Sequence, residues 1–244
     1  MQMKPVVLVP LLAVISACGG GGGGTAESAK PTIVECMTPK VGVKFETDSW
    51  SESFTPGLLL YDFGDKRFEV LEKTFEGRPA LSVRTYYANT AESGAVSWDF
   101  MYANAVVATS SGFQLLGAEG LVDDPDGYRR IVYAPPVTTP AALTIGTPAR
   151  RQYAGTYTRT VAGAADEVRT VSRQDRIELL GHEDIAVADG HILQNVCKVK
   201  VSSEASSFVH EWYAAGYGLV AREAFDDDGK LVMRDLIARV EQAP

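Results

Sequence analysis

From Arg67 onward the apolar residues of this chain recur at every second position in short runs, and that period decides its fold class. Val96, Trp98, Phe100 and Tyr102 share one face by this rule, and Cys197, Val199 and Val201 alternate with Lys198 and Lys200. Further strands are expected at 67–72, 81–87, 127–134, 152–161, 167–180, 184–188, 207–213 and 219–225. Turn clusters such as Glu76-Gly77, Asp123-Asp124-Pro125-Asp126-Gly127 and Asp226-Asp227-Asp228-Gly229 separate them. In the last run, 230–241, Val232, Met233, Leu236, Ile237 and Val240 also fit helical spacing. The Asp228-Gly229 pair before it reads as a hairpin turn and favours a strand. The chain is therefore expected to be mostly β, with few or short helices.

The stretch 134–148 (APPVTTPAALTIGTP) holds four prolines, each lacking the N–H that a central strand must donate. It is expected to be a crossover inside one domain, with a domain boundary as the alternative.

The N-terminus has a different grammar. Lys4 precedes an apolar run from Pro5 to Ile15, then come Ser16, Ala17 and Cys18. The run is too short for the roughly 20 apolar residues of a membrane-spanning helix. It has the charged start, apolar core and small residues of an export signal. Ile15-Ser16-Ala17-Cys18 resembles the bacterial lipobox, which implies cleavage after residue 17 and acylation, palmitate included, of Cys18. The six glycines of 19–24 read as a flexible tether, so that 18–31 would hold a domain of residues 32–244 off a membrane.

The net charge of −8, with acids scattered through the chain, offers no basic face of the kind nucleic acid requires. The membrane is expected as a partner through the lipid alone. With Cys18 acylated, Cys36 and Cys197 remain, and in an oxidising compartment a lone pair is most simply a disulfide. Two buried thiols are the alternative.

Gly181-His182-Glu183-Asp184-Ile185-Ala186-Val187-Ala188-Asp189-Gly190, with Glu211-Trp212-Tyr213-Ala214-Ala215-Gly216-Tyr217-Gly218-Leu219-Val220 further on, resembles paired motifs of a broad group of Gram-negative outer-membrane lipoproteins. The likeness runs over most of 45–240. It implies a single strongly curved antiparallel sheet or half-barrel, similar to the LolA-like carriers of the periplasm. It also implies an outer-membrane location facing the periplasm, with the cell surface as the alternative. This chain has Ala188, His191, Ile192 and Ala215 where the group has proline, threonine, phenylalanine and proline, which bears on local turns.

Signatures of catalysis are missing from the sequence. It has no G-x-S-x-G, no S-x-x-K and no H-x-x-x-H or C-x-x-C pair, and neither a cofactor nor a metal is expected. His182, His191 and His210 are far apart in sequence and could meet only across strands, with His182 beside Glu183 the least implausible start of a zinc site. The two aspartate clusters lack the closing glutamate of a calcium loop. A hydrolase built from cross-strand carboxylates, with Glu69, Glu72, Asp99 and Glu183 as candidates, is the least favoured reading. The main expectation is a non-enzymatic envelope lipoprotein binding an apolar ligand, such as a lipid or acyl chain, or an envelope protein. Trp98, Phe100, Tyr102 and Trp212 are expected to line its concave face. The alternative is an assembly module that docks through sheet edges.

Overall fold

The computed structural model describes residues 30–51, 65–91, 93–121, 127–203 and 207–244. The export signal (1–17), Cys18, most of the tether and residues 123–126 of the first aspartate cluster lie outside the described residues.

One short helix precedes twelve strands. Helix α1 (Ile33–Met37) starts at Thr32, whose hydroxyl accepts from the Glu35 amide while the Glu35 carboxylate accepts from the Thr32 amide at 2.7 Å. This reciprocal cap satisfies N–H groups that a five-residue helix would otherwise leave orphaned. The strands are β1 (Lys44–Ser51), β2 (Lys66–Phe75), β3 (Arg78–Thr90), β4 (Val96–Thr109), β5 (Gly112–Leu121) and β6 (Gly127–Pro140). They continue as β7 (Ala149–Val161), β8 (Glu167–Ala186), β9 (Ile192–Ser202), β10 (Phe208–Ala214), β11 (Gly218–Phe225) and β12 (Leu231–Gln242).

Each strand pairs antiparallel with its sequence neighbours, and β1 pairs with β12, so the sheet closes into a barrel. The single, strongly curved antiparallel sheet is present, and its curvature is carried past a half-barrel to full closure. The closing seam is narrow on one side: β1 meets β2 only over Lys44–Thr47 against Lys66–Glu69.

The final run is a strand, and Gly229 donates to the Asp226 carbonyl in the turn before it. The prolines do not divide the chain. Strand β6 continues through Pro135 and Pro136 to Pro140. They are tolerated because the ladder is broken where they sit. Pairing with β5 jumps from Val132–Gly117 to Val137–Leu115, and pairing with β7 ends at Tyr133. Only the second part of 134–148 is a connection.

Register and burial sort the interior into tiers. Near α1 the lumen is apolar: Ile33, Cys36 and Met37 pack on Ile177, Cys197 and Val199. Val43, Phe45, Phe68, Val70, Val220 and Ile237 form a neighbouring cluster. Phe45 and Phe68, directly opposed on β1 and β2, stack with centroids 5.0 Å apart. Cys36 and Cys197 form a disulfide, Cα to Cα 6.1 Å, which ties α1 to the barrel wall. Below this plug the lumen turns polar. On the outer wall, Phe75 lies flat over Gly117, where a Cβ would come within 2.6 Å of its ring. Arg130 covers the other side of the ring at 5.1 Å, and Phe75 is left 2% exposed.

Candidate functional site

The four aromatics expected on one concave face are not brought together. The period-two pattern of β4 fails at Met101: Tyr102 pairs with Thr85 but Phe100 with the adjacent Tyr86, so β4 carries an extra residue there. The bulge puts Tyr102 on the lumen face and leaves Phe100 and Trp98 outside. Phe100 packs edge-on against Tyr86, and the Arg67 guanidinium lies 4.3 Å from the Trp98 ring. Trp212 is also outside, opposite Ala221 and Lys198, yet it is only 6% exposed. Val187 and Leu193 of the β8–β9 hairpin belong to its cluster, its Nε1 donates to Glu183, and the Lys198 ammonium lies 4.7 Å over the ring. The Trp212 motif thus anchors a hairpin.

The candidate carboxylates are equally dispersed. Glu69 accepts from the Tyr86 hydroxyl at 2.9 Å, Asp99 from Asn89 at 3.2 Å, and Glu183 from Trp212. Glu72 alone among them lines a cleft. Ligand atoms of Cys36, His182 and Cys197 fall within 4.8 Å of one another, the closest approach to a metal set among the described residues. Both sulfurs are committed to the disulfide, and His182 Nε2 lies 3.0 Å from the Pro31 carbonyl. His191 pairs with Asp189 at 2.9 Å, whereas His210 packs against Phe208 and Phe225 and burial lowers its pKa.

The polar tier of the lumen was not foreseen. Arg151 makes a two-pronged ion pair with Asp175, at 2.6 and 2.9 Å, and donates to Thr139 at 3.2 Å. The Tyr153 hydroxyl donates to the same Asp175 at 3.3 Å. Enclosure and the nearby Asp175 charge push the Tyr153 phenol up to about 12. Across the lumen, Tyr213 donates to Glu211 at 2.8 Å, and Glu211 also faces Arg222 at 3.5 Å. Burial and Glu211 raise the Tyr213 pKa well above its ordinary value. Lys66 and Asp235 form a buried pair a few residues away. Thr47, Ser49 and Thr85 face the same tier with hydroxyls that have no protein partner among the described residues. Arg222 lies deep enough for desolvation to be the largest influence on its pKa, yet 31% of its side-chain surface is accessible. That combination describes a group bordering internal polar space, not one embedded in packed core.

Two openings flank this tier. At the α1 end, α1 packs mainly toward β5 and β9–β11, away from the cleft between β2, β3 and β4. There an open cleft of about 690 Å³ is lined by Pro79, Ala80, Leu81, Val106, Val107 and Ala108 together with Thr38, Glu72, Lys73 and Thr74. At the opposite end the strands are of unequal reach. Strand β8 pairs with β9 only from Arg176, so Glu167–Asp175 is bonded to β7 alone among the described residues.

No protein-family model matches the chain, and no curated protein matches its sequence. Two solved structures share its general shape. One, from Bacteroides fragilis, is described as an exported protein with a YmcC-like fold; it has 12% identity and a TM-score of 0.45, over 84% of this chain and 97% of that one. The other, from Parabacteroides distasonis, is described as a lipoprotein; it has 13% identity and a TM-score of 0.42, over 84% and 98% of the two chains.

Proposed function

We propose that the protein is a non-enzymatic lipoprotein of the cell envelope, anchored through Cys18 in the outer membrane, that binds an apolar ligand of acyl-chain type. The cleft at the α1 end carries this reading. Its volume of about 690 Å³ falls in the range of small-ligand sites, roughly 300–1,000 Å³. Pro79, Leu81, Val106, Val107 and Ala108 give it an apolar part, and Thr38, Glu72 and Thr74 line it with polar groups that could orient a polar head. The lipobox-like 15–18 segment supports the envelope location, since a disulfide between Cys36 and Cys197 requires an oxidising compartment.

The test is native mass spectrometry of full chain carrying Cys18→Ser, which removes its own acyl groups, after purification from the periplasm. A co-purifying lipid in this protein, lost when Leu81→Trp and Val106→Trp fill the cleft, is the expected result. An empty protein that also fails to take up a fluorescent fatty acid would reject the ligand.

Docking through a sheet edge is the second reading, and one observation favours it. Closure pairs most strands on both sides, but among the described residues Glu167–Asp175 is a nine-residue stretch bonded to β7 alone. Arg169, Arg173 and Asp175 break its apolar character, as charges commonly do on protected edges. Crosslinking from a photoreactive residue at Ser172 would show an envelope protein on this edge, or none.

A further inference from the structure

The arginines of β6, β7 and β8 have no part in the apolar cleft. Ladder partners on adjacent strands put their side chains on the same side of a sheet, so the unbroken register of these three strands can be read in rows. The lumen side is fixed by Arg151 and Asp175, which interact across the barrel with Glu211 and Tyr213. Moving from that row toward the open end, the same side carries Tyr153 with Arg173, then Tyr133, Gly155 and Val171. Next come Ile131, Tyr157 and Arg169, and finally Arg129, Arg159 and Glu167. Five arginines and two acids share this surface, in a chain whose net charge is −8. Asp175 is consumed by Arg151. Among the described residues, no carboxylate lies within ion-pair distance of Arg129, Arg159, Arg169 or Arg173.

We propose that this inner face of β6–β8 is a binding site for an extended ligand carrying several phosphate or carboxylate groups. Three features beyond charge favour it. Arg129 and Arg159 stand directly opposite each other, an arrangement that costs stability unless an anion lies between them. The arginines are interleaved with rings: Arg169 lies 4.4 Å over Tyr157, and Tyr133 meets Tyr153 edge-on at 5.4 Å. A guanidinium resting on an aromatic face keeps its planar fork available for an oxyanion. Finally, the face is reachable, because among the described residues no strand pairs with the outer edge of β8 over Glu167–Asp175, and Arg169 and Arg173 are exposed.

Spacing selects the class. Arg169 and Arg173 are four strand positions apart, about 13 Å, so one small anion cannot meet both, whereas a chain of anionic groups can. The site is at the opposite end of the barrel from the apolar cleft, and each can fail without the other.

The probe is inorganic tripolyphosphate, titrated calorimetrically into full chain carrying Cys18→Ser at low ionic strength. The informative variant is Arg169→Gln/Arg173→Gln; both residues are exposed, so the fold should survive. The control is Arg150→Gln/Arg176→Gln, an exposed pair opposed on the outer side of the same two strands. Expected is binding by the unaltered face that weakens with salt, falls roughly tenfold or more in the inner variant, and persists in the outer one. Vesicles of phosphatidylglycerol against phosphatidylcholine give the second arm. Retention on the anionic vesicles that depends on the inner pair would place the phosphates on lipid, and tripolyphosphate binding alone would place them on a soluble ligand. No binding in either arm up to about 1 mM probe, or equal loss in both variants, would overturn the site.

Discussion

Lys66 and Asp235 meet across strand β1: the ammonium lies 2.9 Å from both carboxylate oxygens, although 169 positions separate the two residues in sequence. Lys66 is on β2 and Asp235 on β12, the two neighbours of β1, so the pair bridges the seam at which the barrel closes. Their side chains are 2% and 11% exposed. Arg67 and Glu241 bridge the same two strands at 2.6 Å, so two ion pairs reinforce a seam at which β1 and β2 share only a short ladder.

Removing one partner should therefore do more harm than removing both. Asp235→Asn removes the carboxylate that meets the buried Lys66 ammonium at 2.9 Å and is expected to cost up to about 3–5 kcal/mol, read from urea unfolding. Lys66→Met combined with Asp235→Leu should recover most of that loss. A single variant with an unchanged urea midpoint would show that the seam does not depend on the pair.

The Cys36–Cys197 bridge spans 161 positions. Cross-linking so long a loop restricts the unfolded chain, an effect of about 4–5 kcal/mol in the entropy model. Cys36→Ser/Cys197→Ser should lose up to that amount in guanidinium melts, and limited proteolysis should cut near α1 first. The wild-type protein should approach the variant's midpoint once dithiothreitol is added. If reductant leaves the wild-type midpoint in place, the bridge contributes nothing to stability.

Tyr153 offers a spectroscopic readout of the polar lumen. Its phenol ionises at about 12 in the folded protein, against an ordinary value of 10.0. A raised pKa means that the folded state holds its proton longer than the unfolded one. The associated stability is complete below pH about 10 and is lost as the pH climbs toward about 12. Absorbance at alkaline pH should show a late-titrating tyrosine class, and Tyr153→Phe should reduce its amplitude. An unchanged late class in that variant would assign the signal elsewhere, with Tyr213 the next residue to change.

The sequence made individual strands legible because alternation is local. Cys197, Val199 and Val201 face the α1 plug as their spacing requires, and the Asp226–Gly229 turn delivers β12 as a strand. Strand β5 escaped notice because Gly112, Gly117 and Gly120 interrupt its apolar pattern; Gly117 is a glycine to admit the Phe75 ring. Strand β1, partly polar, takes its longest ladder from β12 at the far end of the chain and only a short one from the neighbouring β2. The bulge at Met101 reversed the face of Tyr102 relative to Phe100, a single-residue shift that no composition reveals. The arginine wall was hidden for a similar reason. Arg129, Arg159, Arg169 and Arg173 fall on three strands, and only the register brings them onto one surface.

The order in which the barrel can be assembled follows from where its seam lies. Strands β2 to β11 can zip up one hairpin at a time as the chain becomes available, each closing a short loop. Strand β1 has no such route: its longest ladder is with β12, pairing Phe45 with Val240 and Ser51 with Met233. A chain delivered N-terminus first therefore presents β1 at the beginning and receives its main partner at the very end. Throughout that interval the edge of β1 that β12 will cover stays open, and the time taken to deliver the last strand sets how long that edge is available for aggregation.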